Sequence, residues 1–349
     1  MGLRSRSPRV RRADVSRQGP RRRLAAGLDR FFAPQPYVAM VVCRVAFGAL
    51  ACGYFAGRVG LVQQIWGPEG IFGAGFFERM ALDVAVRTRE GGLDWLAHNP
   101  SPGLVWILWG VGLVASALFA LGAFTRPAGI VALAVFTLFH ARNPYATAGW
   151  SVMLKPFLLY VLLAPTGRFG SIDAWRRGDR DALAKPSSWV GPGWPVRLVQ
   201  VHLCAMYLAA GWSRIDSPSW WEGEATFAAL SDLFTARFDL DWQPWKPLLE
   251  VATYAAFAIE ALAPILLWLP GIGTAWALGL LALHAGLELA NNHGSWQILM
   301  GAALLTFLPA AWITRLLPLR TGRSRAQTVP SPTGPSAHDR PTGRPSSTT

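Results

Sequence analysis

Residues 103–122 read GLVWILWGVGLVASALFALG, a run of twenty residues without a charged side chain. About 20 consecutive apolar residues are enough for a helix to cross the hydrocarbon core of a bilayer. A helix on the surface of a soluble protein needs a polar face toward water, and this run offers none. The run therefore predicts a transmembrane helix.

The rest of the chain extends this pattern. Of its 349 residues, 52% are hydrophobic and 15% are charged, whereas soluble domains average about 25% charged residues. We therefore expect an all-α, polytopic integral membrane helix bundle with about eight transmembrane helices and no soluble catalytic domain. The eight predicted stretches cover roughly residues 37–57, 103–122, 126–141, 150–165, 196–213, 248–269, 271–290 and 296–313.

The net charge of +13 lies at the two ends of the chain. Residues 1–30 hold ten Arg and two Asp, residues 315–349 hold six Arg and one Asp, and the middle is balanced. Basic segments next to transmembrane helices stay on the cytoplasmic side and attract anionic lipids. We expect a multi-pass protein of the cell membrane with both termini cytoplasmic, membrane lipids as partners and no nucleic acid.

Three regions follow from this distribution. Residues 1–30 are predicted to be a basic disordered tail because they are Arg-rich and lack apolar periodicity. Residues 31–313 form the predicted transmembrane bundle. Residues 314–349 are predicted to be a second disordered basic tail, rich in Pro, Ser and Thr.

Five ionisable residues fall inside the predicted helices: Arg44, Lys155, Glu260, His284 and Glu288. A charge at a helix centre costs about 2.5–3.5 kcal/mol on insertion scales, so each needs a partner, a cavity or the interface. His284 and Glu288 are four residues apart, and we expect them to hydrogen-bond on one helix face. They lack the spacing of a metal site. Two interpretations stay open: these residues fix helix packing, or they form a site.

A weak internal similarity links the two halves of the chain. His140 precedes Pro165, and His284 precedes Pro309, by twenty-five residues in each case, with an offset of 144 between the pairs. Two halves arranged as a parallel repeat would produce this pattern. Chance similarity between apolar segments is the alternative.

The most distinctive segment follows the fifth predicted helix. The small residues 209–211 favour close approach of another helix. Arg214 lies where the helix leaves the membrane, and Trp220 and Trp221 suit the membrane interface. The segment predicts a cation held at the mouth of the bundle, and an interfacial anchor is the alternative.

This segment resembles the HTTM superfamily, the transmembrane domain shared with vitamin K-dependent gamma-carboxylase. Its matching pattern is Tyr207-x-x-Ala210-Gly211-x-x-Arg214-x-Asp216, followed by a tryptophan and Gly223. The resemblance covers roughly residues 30–313. It is supported by Arg142-Asn143-Pro144, by Leu163-Ala-Pro165-Thr-Gly167-Arg-x-x-Ser171-Ile-Asp173, by Glu260-x-x-x-Pro264 and by His284.

The resemblance implies a reaction and a ligand. In the carboxylase family this domain deprotonates reduced vitamin K, and oxygenation of the quinol yields the base that removes a glutamyl proton. The family has Lys where this chain has Arg214, and Arg cannot lose its proton at accessible pH. Arg214 can hold a quinone oxygen or a phosphate as an electrostatic clamp, but it cannot act as the initiating base of a carboxylating membrane oxygenase or lyase.

Seven candidate site residues follow. The predicted catalytic residues are Arg214, Glu260 and His284. The predicted residues for binding reduced vitamin K, another quinol or a lipid are Arg142, Asn143, Tyr207 and Trp220.

Three classes of function remain open. The first is a membrane enzyme or a quinone- or lipid-binding protein with its site at the outer face. The second is a transporter-like protein or a partner of another membrane protein, in which intramembrane charges line a path or fix packing. The third is a scaffold that uses only its basic tails on anionic lipid.

Overall fold

The computed structural model describes residues 20–71 and 101–316, and this part of the chain is mostly helical. Two short strands are present, β1 (Gln35–Pro36) and β2 (Val190–Gly191). The helices in the described residues are α1 (Pro20–Phe31), α2 (Val38–Ala56), α3 (Val62–Trp66), α4 (Pro102–Leu121), α5 (Thr125–Arg142), α6 (Gly149–Leu163), α7 (Ile172–Arg176), α8 (Arg180–Ala184), α9 (Gly193–Ile215), α10 (Pro218–Trp221), α11 (Ala225–Leu230), α12 (Lys246–Ala261), α13 (Ala263–Leu266), α14 (Ile272–Ala290), α15 (Gly294–Leu304) and α16 (Ala310–Leu316).

Six of the eight apolar stretches each coincide with one helix in the described residues, whereas 248–269 is divided between α12 and α13 and 296–313 between α15 and α16. Three of these helices, α2, α4 and α14, are long and apolar enough to cross a membrane, with mean hydropathies of 1.9, 2.3 and 1.4. Two more apolar helices, α6 and the segment 294–307, are shorter. The helical class is therefore confirmed, and three helices support association with a membrane.

Helix α2 forms the centre of the bundle. It packs against α4, α6 and α15, and its core-facing residues include the fully buried Phe47 and Phe55. By contrast, α4 turns large apolar side chains outward, with Ile107 64% exposed and Val114 57% exposed. An outward apolar face of this kind is compatible with lipid as the surrounding solvent.

A two-stranded ribbon joins the beginnings of α2 and α9. Strands β1 and β2 pair antiparallel, with Gln35 opposite Gly191. Tyr37, which follows β1, donates its N–H to Trp189 O at 2.8 Å and its hydroxyl to Pro192 O at 2.9 Å. Both helices therefore start at the same end of the bundle, which we call the ribbon end.

The first predicted tail needs a correction. Residues 20–31 form α1, although residues 1–30 are predicted from sequence to be disordered. The end of α1 has partners, because the Phe31 ring lies 5.6 Å from Trp268 and Phe31 O accepts a hydrogen bond from Arg197 Nε at 2.9 Å. Residues 1–19, 72–100 and 317–349 lie outside the described part of the chain.

Candidate functional site

Close packing between α9 and α12 brings the two main charges of the site together. A Cβ atom on Gly211 would lie 3.4 Å from Ala261 Cα, so the predicted close approach at the small residues 209–211 is confirmed. Arg214, in the last turn of α9, then reaches Glu260 near the end of α12, and Arg214 Nη1 donates to Glu260 Oε2. Their side chains are 18% and 8% exposed, so this is a largely buried ion pair.

An aromatic ring covers the cation. The guanidinium carbon of Arg214 lies 4.1 Å from the centroid of the Trp220 ring. Trp220 belongs to α10, which starts at Pro218 directly after α9. Proline suits the first turn of a helix because its missing N–H would have no helical partner there. The turn between the helices therefore places the ring over Arg214.

A chain of three hydrogen-bonded side chains lies beside this ion pair. The Tyr207 hydroxyl is 2.9 Å from His284 Nε2, and His284 Nδ1 is 2.5 Å from Gln297 Oε1. The amide oxygen of Gln297 can only accept, so Nδ1 carries the proton and Nε2 accepts from Tyr207. Both Tyr207 and His284 are buried. The chain fixes the tautomer of His284.

These two sets form one cluster. Arg214 and Tyr207 are seven residues apart, two turns along the same face of α9, and Tyr207 contacts His284. We define the Arg214 cluster by the six side chains Tyr207, Arg214, Trp220, Glu260, His284 and Gln297. It contains five of the seven predicted site residues.

The predicted hydrogen bond between His284 and Glu288 is wrong. Glu288 Oε1 accepts from Arg237 Nη2, and Arg237 Nε also donates to Glu288 O at 2.8 Å. Glu288 lies one turn closer to the end of α14, so it reaches the loop that contains Arg237. His284 instead uses both ring nitrogens within the Arg214 cluster.

Arg142 and Asn143 lie outside the Arg214 cluster. Arg142 donates to Trp66 O at 3.3 Å and to Gly67 O at 3.2 Å, and Asn143 donates to Ile65 O at 2.9 Å. These bonds satisfy carbonyls at the end of α3, which have no partner within that helix. The two residues therefore tie α5 to α3, and their role in ligand binding stays a prediction.

A second buried histidine has a similar setting. His140 Nε2 is 3.2 Å from Ser151 Oγ on the following helix, and the His140 ring lies 5.2 Å from the ring of Tyr54. Lys155 lies one turn beyond Ser151 on α6. His140 and Lys155 stand out in the sequence as polar residues of apolar stretches, whereas Tyr54 does not.

Gln297 is not among the residues predicted from sequence, because those are ionisable groups and Gln297 carries an uncharged amide. An uncharged amide in an apolar helix still needs a hydrogen-bond partner in hydrocarbon, and that signal was present in the sequence at Gln297.

The Arg214 cluster combines a neutral ion pair with fixed donors and acceptors. The charges of Arg214 and Glu260 offset each other, so the site attracts a full anion less than an unpaired arginine would. Arg has five N–H donors, and the contact to Glu260 leaves others to bind a neutral ligand oxygen.

Within the described ranges, no group of three or more His, Cys, Asp or Glu side chains is arranged to hold a metal ion. No family model, curated protein or solved structure matches this chain.

Proposed function

We propose that this chain is a multi-pass cell-membrane protein that binds a neutral quinone-like ligand at its outer face, in the Arg214 cluster. The observation that carries the proposal is the buried Arg214–Glu260 pair beside the Tyr207–His284–Gln297 chain. In the proposal all eight apolar stretches cross the bilayer, and both termini are cytoplasmic. The proposed fold follows the resemblance to the HTTM superfamily.

The direction of α9 supports an outer position for the site. The segment between α6 and the ribbon carries Arg168, Arg176, Arg177, Arg180 and Lys185, and short basic segments stay on the cytoplasmic side. Helix α9 starts at the ribbon, next to this segment, and has 23 residues. At 1.5 Å per residue it spans about 34 Å, so Arg214 at its far end lies at the opposite face.

The chemistry of the cluster supports a quinone-like ligand over an anion. A quinone carbonyl is a neutral acceptor that a guanidinium can bind without a change in net charge. A phosphate would place negative charge close to the Glu260 carboxylate, and like charges at short range are unfavourable. Because Arg214 stays protonated, we assign it to holding the ligand oxygen, and carboxylase activity is not part of the proposal.

The test measures quinone that copurifies with the protein. Wild-type protein is extracted from membranes in mild detergent, and bound small molecules are identified by mass spectrometry. Replacing Arg214 alone leaves Glu260 as a buried unpaired charge, which costs about 3–5 kcal/mol. The informative variant is therefore R214M/E260M, because exchange of a buried pair for apolar residues of similar volume is often neutral for stability.

We expect wild type to carry a quinone-like molecule and R214M/E260M to lose it while keeping its melting temperature. The matched control is R237M/E288M, which removes the more exposed Arg237–Glu288 pair and should keep the ligand. A folded R214M/E260M protein with the wild-type amount of quinone would refute the proposed site.

A further inference from the structure

An apolar groove runs along the outside of α4 and α5. It has a volume of about 560 Å³ and is lined by Gly110, Val114, Ala115, Leu118, Ala128 and Val131, among others. Gly110 and Ala115 leave space in the groove because glycine has no side chain and alanine has only a methyl group. A groove of this kind on a bilayer-facing surface accommodates an apolar chain.

A cavity of about 410 Å³ lies at the ribbon end of the same two helices. Arg126, Arg168 and Arg177 line it, together with Asp173. The groove and the cavity share Phe124 and Pro127 as lining residues. The two therefore form one continuous surface with an apolar part and a basic part.

The basic part of this surface has a surplus of positive charge. Among the described residues that line it, Asp173 is the single acid. Both carboxylate oxygens of Asp173 are used by the start of α5, because they accept from Phe124 N at 2.9 Å and from Thr125 N at 2.8 Å. The three arginine side chains are exposed. Arg177 Nη2 donates to Gly167 O at 3.0 Å and to Arg168 O at 3.3 Å, but a guanidinium has five N–H donors, so Arg177 keeps others for a ligand in the cavity.

Phe124 stands at the junction in an unusual backbone conformation. Its φ of 48° makes it a non-glycine residue in the left-handed region, which is uncommon for a bulky side chain. The two N–H bonds to Asp173 hold this conformation, and the ring is 55% exposed. The Arg176 guanidinium lies 4.7 Å from the ring centroid. Backbone strain of this kind often marks a binding site.

We propose that this surface binds an anionic glycerophospholipid of the cytoplasmic leaflet. One acyl chain lies in the α4–α5 groove, and the phosphate contacts Arg126, Arg168 and Arg177. Basic pockets at the cytoplasmic ends of membrane helices bind anionic headgroups for the same electrostatic reason. The inference rests on the membrane placement in the proposed function but not on the quinone site.

The experiment uses the full chain in mild detergent and counts bound lipids by native mass spectrometry. Phosphatidylglycerol, phosphatidylcholine and inorganic phosphate are added in separate samples. Each cation near an anionic lipid contributes about 1 kcal/mol, and about 1.4 kcal/mol is tenfold in affinity. With three arginines, we expect wild type to retain phosphatidylglycerol roughly a hundredfold more strongly than phosphatidylcholine.

Two variants test the two parts of the surface. R126Q/R168Q/R177Q should retain phosphatidylglycerol no better than phosphatidylcholine. Gly110→Leu fills the groove, since a Cβ at Gly110 meets no atom within 4 Å, and it should weaken both lipids. The control R30Q/R180Q/K185Q removes three exposed cations that do not line the cavity, and it should behave as wild type.

Several outcomes would overturn the inference. Equal retention of the two lipids by wild type, or a lipid preference that survives R126Q/R168Q/R177Q, would do so. Displacement of phosphatidylglycerol by inorganic phosphate would reduce the site to a phosphate site without a role for the groove.

The lipid site and the quinone site are tested separately. If R126Q/R168Q/R177Q keeps its quinone, a failure of the lipid prediction leaves the proposed function standing. Release of wild type from membranes by alkaline carbonate would contradict both proposals.

Discussion

At the scale of single residues, Arg44 shows how a charge is accommodated among apolar helices. It lies in α2 and is 1% exposed. Its guanidinium donates to Thr166 O at 2.7 Å, to Phe169 O at 3.1 Å and to Gly170 O at 2.6 Å. Five donors in a fixed plane suit several carbonyls at once. Arg44 therefore fixes the segment 166–170 against α2, in line with the interpretation that it fixes packing.

Substitution of Arg44 tests this role. Arg44→Met should lower the free energy of unfolding by about 2–4 kcal/mol, because buried carbonyls left without donors each cost about 1–3 kcal/mol. Thermal unfolding in detergent gives the comparison, with the exposed Arg180→Met as control. Equal melting temperatures for Arg44→Met and wild type would show that these bonds contribute nothing to stability.

The Arg214 cluster shows what sequence reasoning reaches at this scale. Tyr207, Arg214 and Trp220 fall within one short segment, so their grouping was predictable from helical spacing and a turn. The pairing of Arg214 with Glu260 joins residues 46 apart and depends on how closely α9 and α12 pack. Glu288 shows the limit of reasoning from helical spacing. The spacing favoured a hydrogen bond between Glu288 and His284, whereas in the structure the loop residue Arg237 donates to the Glu288 carboxylate.

At the scale of elements, helix ends depend on contacts from distant segments. The first turn of α5 has N–H groups without helical partners, and Asp173 of α7 supplies the acceptor for Phe124 and Thr125. Burial alone would raise the pKa of Asp173. The hydrogen bonds from Thr125 and Phe124, together with the charge of Arg177, outweigh burial and lower that pKa below its ordinary value of 3.8.

This carboxylate predicts a pH-dependent stability. Because the pKa of Asp173 is lower in the folded state, its contribution is complete above the ordinary value of 3.8 and is lost as pH falls through the folded-state pKa. At neutral pH, Asp173→Asn should reduce the free energy of unfolding by about 1–2 kcal/mol, because the amide keeps one acceptor oxygen and its NH2 group cannot accept the other N–H bond.

Thermal unfolding of wild type and Asp173→Asn over a pH series measures this effect. The difference between the two proteins should shrink as the solution becomes acidic. At neutral pH the control Asp179→Asn, which keeps a capping oxygen for the short surface helix α8 and removes only the charge, should have a smaller effect. A difference that stays constant down to strongly acidic pH would contradict the role of the carboxylate charge.

The positions of the long helices were predictable because apolar runs have to be buried or face lipid. Their ends were less predictable. The stretch 248–269 divides into α12 and α13 around Leu262, since Pro264 has no N–H to continue the helical hydrogen bonds. The helix α1 was missed because its docking on Trp268 and Arg197 is a long-range contact that local composition does not contain.

At the scale of the whole molecule, the two halves share an arrangement. His140 and His284 are both 4% exposed, and each contacts a side chain on the next helix, Ser151 or Gln297. Each also lies beside a tyrosine of the first long helix in its half, Tyr54 of α2 or Tyr207 of α9. These correspondences favour the parallel repeat over chance similarity, and α2 and α9 start together at the ribbon.

The proposed topology predicts which loops face the cytoplasm. In a variant that lacks Cys43, Cys52 and Cys204, single cysteines are introduced by Ser187→Cys, between α8 and β2, and by Ser231→Cys, after α11. In intact cells a membrane-impermeant maleimide should label Ser231→Cys, and it should label Ser187→Cys only after cell lysis. Labelling of both positions in intact cells would refute the topology.

The bonds of Arg44 also bear on how the protein is made. Arg44 and its acceptor Thr166 are 122 residues apart. During synthesis, α2 therefore leaves the ribosome long before the carbonyls that accept hydrogen bonds from its guanidinium have been made. A nascent chain that stops before residue 166 keeps that charge without these acceptors. Helix α2 can make these bonds only after α4, α5 and α6 have also been translated, so its packing against the segment 166–170 follows its own synthesis.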